Sequence, residues 1–137
     1  EGKDLTVISY GSTLNIVEKV GHKLLDYDID CEIIDLQSLI PFDISHQIQK
    51  SVEKTSRILI VDEDMPGGAS SYILQELLNT QNIYDKLDSK PNLLTAKEHR
   101  PPYGSDGDYS SKPSFEDIFE KVYEIMNEVD PNKYSNL

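Results

Sequence analysis

Runs of β-branched residues alternate with residues at helical spacing, and this predicts an α/β fold. The expected architecture is a three-layer sandwich: a mostly parallel sheet of roughly four or five strands with helices on both faces. Two observations carry the prediction. The apolar runs at 5–10, 31–36 and 57–62 are short and are followed by turn-forming or acidic residues, as in buried parallel strands. Between them, apolar residues recur every three or four positions. Strands alternating with helices build βαβ units with right-handed crossovers.

Leu5-Thr6-Val7-Ile8-Ser9-Tyr10 reads as the first strand, ended by Gly11. Leu14, Val17, Val20, Leu24 and Leu25 then mark one face of a helix. Cys31 to Leu36 gives a second strand, and Pro41, Phe42 and Asp43 interrupt the chain after it. Asp43 stands as an N-cap for a helix with Ile44, Ile48 and Val52 inward. Arg57 to Asp62 is the third strand, and the helix after Gly67 and Gly68 turns Ile73, Leu77 and Leu78 to the core. Pro91 to Ala96 is a weaker strand. In the last helix Ser114 caps, Asp117 sits at the third helical position, and Phe115, Ile118, Phe119, Val122, Ile125 and Met126 form the apolar face. Residues 98–113 read as a long loop, of a length that is uncommon in compact domains and often functional. After Asp130 the chain turns polar and is expected to fray.

Composition narrows the function. The 137 residues suffice for one domain with a sizeable core. A net charge of −12 argues against nucleic acid and against anionic membranes, because nothing here would neutralise a row of phosphates. No apolar stretch is long enough to span a bilayer. Cys31 is the single cysteine, so no internal disulfide forms, and a small buried thiol in a reducing compartment is the expectation. The opening at Glu1, with strand sequence almost at once, reads as an excised domain.

The chemistry-bearing candidates are few. Asp62, Glu63 and Asp64 follow the third strand at the sheet edge where open α/β folds meet ligands. With Asp35 they could offer oxygens to Mg²⁺, as in phosphoryl-accepting domains. The first strand ends in Ser9 and Tyr10 rather than an acid, so the commoner reading is that these acids cap the next helix. The turn Ser9-Tyr10-Gly11-Ser12-Thr13 could cradle an anion but lacks a P-loop lysine, and a tight turn with a Ser/Thr cap is the plainer reading. Gly104-Ser105-Asp106-Gly107-Asp108 fits neither a calcium loop nor the Gly-Asp-Gly signature that binds a metal–diphosphate. His22 and His46 lie at polar positions of helical patterns. His99 is grouped with Arg100 and Tyr103 in the long loop, where it could carry a proton into a site built elsewhere. No Ser-His-Asp or Cys-His arrangement is present, and there is no G-x-S-x-G elbow.

Three ordered segments carry a resemblance. Asp4-Leu5-Thr6-Val7-Ile8-Ser9-Tyr10-Gly11 is similar to the opening strand and turn of the C-terminal domain of the transketolase-like superfamily. The segment from Ile34 to Asp43 looks like that domain's I-D-L-R-T-L-x-P-x-D, with Gln37 in place of arginine. The segment from Thr55 to Asp64, followed by Gly67-Gly68, resembles its T-G-R-L-V-V-V-x-E-x…G-G. More narrowly, the chain looks like the β-subunit region of the decarboxylating component of 2-oxo acid dehydrogenases, pyruvate or branched-chain type. The run His99 to Gly104 is closer to chains in which the α and β parts are fused. After the glycines, Ala69, Ser70, Ser71 and Tyr72 depart from the family's pattern.

The resemblance implies residues 1–129 as a transketolase C-terminal-like domain and 130–137 as a polar tail. It implies a parent enzyme that uses thiamine diphosphate and Mg²⁺ held by other domains, with neither bound by this chain. The cofactor would supply the carbanion chemistry and the protein its orientation. It also implies an interface role, with other subunits and the lipoyl acyltransferase component as partners. Asp62, Glu63, Asp64, Gly67, Gly68, His99, Arg100 and Tyr103 are then interface or loop candidates. The compartment would be a bacterial cytoplasm or a mitochondrial matrix. The alternative is a self-contained small-ligand or phosphoryl-accepting domain using Asp62, Glu63 and Asp64.

Overall fold

The computed structural model describes residues 1–99, 103–104 and 106–135. Four strands, β1 (Leu5–Ser9), β2 (Cys31–Asp35), β3 (Ile58–Val61) and β4 (Asn92–Leu94), pair in parallel in the order β2-β1-β3-β4. In β1, Val7 lies opposite Ile33 of β2 and Leu59 of β3.

Side chains alternate across a strand, so each strand feeds two layers. Leu5, Val7, Leu59 and Val61 pack under α1 (Gly11–Leu24) and, further along the chain, the helix Phe115–Val129. Ile8, Ile58 and Ile60 pack on the opposite face under α2 (Gln47–Thr55) and α3 (Ala69–Gln75). This is the three-layer α/β fold that the periodicities predict.

One polar feature marks the second face. Thr6 Oγ1 lies 2.7 Å from Ser51 Oγ and 2.7 Å from Thr55 Oγ1, all three side chains being buried. The Thr55 hydroxyl donates to the carbonyls of Ser51 and Arg57. The buried hydroxyls therefore satisfy one another inside an otherwise apolar layer.

The structure differs from the sequence expectations at several points. Leu25 is 54% exposed, because α1 tightens into a 3₁₀ turn over Leu25–Tyr27 and rotates that side chain outward. Ile44 is 74% exposed, because α2 begins only at Gln47. Asp43 nevertheless does a cap's work from outside the helix, its carboxylate accepting from the amides of Gln47 and Ile48 at 2.9 Å each. His46 is the residue that precedes α2, in a left-handed conformation. After α3 the helix widens into a π segment, Glu76–Thr80. That segment delivers the buried Gln81, whose Nε2 donates to Asp43 Oδ2 at 2.9 Å.

The long loop contains a short helix, α4 (Gly107–Ser111), before α5 (Phe115–Val129). Ser114 and Asp117 form the reciprocal capping box that the sequence predicts. The expected fraying after Asp130 is overturned as far as Tyr134, which is 4% exposed. Its ring meets Tyr123 edge-on and its hydroxyl donates to the Asp28 carbonyl at 3.1 Å. A polar composition hides this one aromatic anchor.

Candidate functional site

The carboxyl ends of the strands gather the acids. Ser9 closes β1 by donating its Oγ to the Val61 carbonyl at 3.0 Å. Asp62 follows β3 and is fully buried. Its Oδ1 accepts from Tyr10 Oη at 2.5 Å and from the Asp64 amide at 2.9 Å. Its Oδ2 accepts from the Ser70 amide at 2.9 Å, at the start of α3. A carboxylate that takes charge-assisted bonds from three donors is a clamp between β1, β3 and α3. The helix-capping reading of this acid holds.

Tyr10 answers that charge. Burial first, then the bond and charge of Asp62, then Asp64 and Glu63, push its phenol well above the ordinary range. It therefore stays protonated as the donor.

Glu63 is half-exposed, with Ser12 Oγ donating to it at 3.0 Å and Lys112 Nζ at 3.5 Å. Ser12 thus reaches across to Glu63, and α1 has no side-chain cap at its start. Asp64 is exposed and accepts from the Met65 amide at 2.8 Å. Gly67 has φ +92, a left-handed turn. At Gly68 a Cβ would come within 2.6 Å of Asp64 Oδ2, so the close approach there is to this chain's own carboxylate.

The remaining candidates are less gathered. His99 is exposed, its amide donating to the Lys97 carbonyl at 2.8 Å. Tyr103 is exposed. Arg100 lies outside the described residues. Asp35 is exposed and accepts from its neighbour Gln37 at 3.0 Å. Strand order puts β1 between Asp35 and Asp62, two strand spacings or roughly 10 Å, too far to share one ion. Among the described residues no group of three or more His, Cys, Asp or Glu is arranged to hold a metal ion. With the oxygens of Asp62 taken up internally, the described side chains do not fit the Mg²⁺–diphosphate end of a cofactor.

Sequence reasoning misses Tyr10, the Ser70 amide and Lys112. The first two partners lie 52 and 8 positions from Asp62, and only the weak signal of a tyrosine ending a strand points to either.

Known proteins place this architecture. The family "Transketolase, C-terminal domain" matches residues 1–111. The chain belongs to that family. A relative from Mesostigma viride, named pyruvate dehydrogenase E1 component subunit beta, is 38% identical over 127 residues, covering 92% of this chain and 38% of the relative. The chloroplastic subunit beta-2 of Arabidopsis thaliana is 35% identical over 102 residues, 74% of this chain and 25% of that protein. The chain thus spans well under half the length of the curated relatives it matches. A solved structure, a split gene transketolase described as an inactive beta4 tetramer, superposes with a TM-score of 0.67 at 19% identity. That match covers 90% of this chain and 38% of that one, and it shows the fold.

Proposed function

We propose that this chain is the C-terminal assembly domain of the decarboxylating component of a thiamine diphosphate-dependent 2-oxo acid dehydrogenase. The parent reaction is oxidative decarboxylation of a 2-oxo acid, with acyl transfer to the lipoyl group of an acyltransferase component. The observation that carries the reading is the 38% identity that runs along 92% of this chain to an E1 subunit beta. In this reading Mg²⁺ and thiamine diphosphate are held by other domains, and the cofactor supplies the carbanion chemistry there. The buried Asp62 clamp supports it, since that acid fixes backbone and offers nothing to a ligand.

The domain's work is then geometric. The edge built by Asp62, Glu63, Asp64, Gly67 and Gly68, with the loop carrying His99, Arg100 and Tyr103, faces other domains or subunits of the component. The lipoyl acyltransferase is the further partner. Residues 1–129 form the domain proper, and the polar tail that follows is pinned back on it at Tyr134. A plastid stroma joins bacterial cytoplasm and mitochondrial matrix as a compartment, because a relative is chloroplastic.

Calorimetry with thiamine diphosphate and Mg²⁺ tests the division of labour, with no heat of binding expected from these 137 residues. Tight binding would refute it. Reconstitution of the full chain with its companion subunit tests the activity: decarboxylation of a 2-oxo acid is expected, and its absence would overturn the enzyme assignment.

A further inference from the structure

We infer that the turn Asp28–Asp30 is a shared catch that couples two distant segments of the chain. One is Gly2–Asp4, which leads into β1, and the other is Asp130–Tyr134, which follows α5. Releasing either segment loosens the other. The inference goes beyond the dehydrogenase reading and stands on the fold alone.

The turn lies between α1 and β2, and both segments close on its backbone. From one side, the amides of Lys3 and Asp4 donate to the Asp30 carbonyl at 3.0 Å each, and the Asp30 amide donates back to Asp4 Oδ2 at 2.8 Å. Gly2 is buried, its amide donating to Glu32 Oε2, and a Cβ there would overlap the Cys31 backbone. From the other side, Tyr134 Oη donates to the Asp28 carbonyl at 3.1 Å. The segment that presents Tyr134 is shaped by its own bonds. Asp130 Oδ1 accepts from the amides of Asn132 and Lys133 at 3.1 Å each, and the Asp130 carbonyl accepts from the Tyr134 amide at 2.9 Å. The Lys133–Asp28 ion pair is exposed on both sides and adds little.

The middle of the turn supplies two arrangements. Asp28 stands at φ +59 and ψ +36, a left-handed conformation that costs a residue with a side chain. The peptide between Asp28 and Ile29 is held at both ends: its carbonyl accepts from Tyr134, and its N–H donates to the Leu24 carbonyl at 3.1 Å. Losing the first bond frees that peptide to turn and Asp28 to relax. The displacement passes directly to Asp30, whose carbonyl Lys3 and Asp4 share. An element with two arrangements that two sites both bias is what energetic coupling requires, and such coupling is reciprocal.

Amide hydrogen exchange in the full natural chain tests this, with the Ser56 amide, bonded to the Val52 carbonyl at the end of α2, as the reference on the far face. In Tyr134→Ala the amides of Lys3 and Asp4 are expected to exchange about tenfold faster relative to Ser56. Tyr134→Phe keeps the ring seated and removes only the bond to Asp28, so it should act in the same direction, by about threefold. In reverse, Asp4→Ala should speed exchange of the Tyr134 amide by a similar factor, because a turn so short keeps little protection once undocked. Unchanged exchange at Lys3 and Asp4 in both Tyr134 variants would overturn the inference. Speeding of Ser56 by the same factor would mark general destabilisation and overturn it too, as would an effect that runs in one direction only.

Discussion

Replacing Asp62 with asparagine tests the clamp most directly, because shape is kept while charge and one acceptor are lost. The side chain is fully buried, and its two oxygens take one O–H and two N–H donors. An asparagine must present its NH₂ group to one side. Facing the Tyr10 side costs less for the phenol, which can turn and accept, but leaves the Asp64 amide without a partner. Facing α3 leaves the Ser70 amide unpaired. Either orientation orphans a backbone N–H, which costs about 1–3 kcal/mol, and reduces the surviving bonds from charge-assisted to neutral strength. Relief from burying a charge offsets part of this, so the expected loss is about 2–3 kcal/mol. For a domain of this size that is a fall of roughly 8 °C in thermal midpoint. Asp62→Ala orphans all three donors and should cost about 4–5 kcal/mol. Urea unfolding followed by circular dichroism measures both. An asparagine variant within about 0.5 kcal/mol of the parent would refute the reasoning, because that is the range of ordinary surface substitutions.

Tyr10→Phe should cost about 1–2 kcal/mol and be non-additive with Asp62→Asn, since the two share one bond. The fold favours the protonated phenol. Its contribution is therefore present below the ordinary value of 10.0 and is lost as pH rises past it toward the raised folded value. Urea midpoints at about pH 9 and about pH 11 should fall in the parent and fall less in Tyr10→Phe. Burial, with Asp4 and Asp30 adding to it, pushes the Cys31 thiol up to about 12. Its reaction with Ellman's reagent at neutral pH should run slower in the folded chain than in urea, and equal rates would refute the burial of the thiol. Tyr134→Ala should destabilise by about 3 kcal/mol and Tyr134→Phe by about 1 kcal/mol, read from the same unfolding curves. Near-equal losses would mean that the bond to Asp28, rather than the ring, anchors the tail.

The legible part of the fold is the part set by local periodicity. The alternation of Leu5 and Val7 with Thr6 and Ile8 is enough to assign the two faces of β1, and the last helix shows its capping box outright. The family signal lies in residues at strand ends and turns, which periodicity does not explain but order and spacing preserve. What local pattern cannot supply depends on distant partners. Asp43 reads as the cap of a helix beginning beside it, yet the bond from Gln81, 38 positions away, fixes it outside the helix. That offset turns Ile44 from core to surface. Tyr134 has the neighbours of a polar tail, and only its partner Asp28, 106 positions away, makes it an anchor.

The Thr6–Ser51–Thr55 contact has a further meaning. Each of the three hydroxyls carries one proton, and the two contacts at 2.7 Å together with the carbonyls of Ser51 and Arg57 give those protons places inside the layer. An apolar layer would let a strand slide along a helix by two residues with its side chains still facing inward. A polar mark at one point does not allow that, because any slip strands three hydroxyls at once. These three positions serve as a key between sheet and helix, and sequence change there has to be concerted.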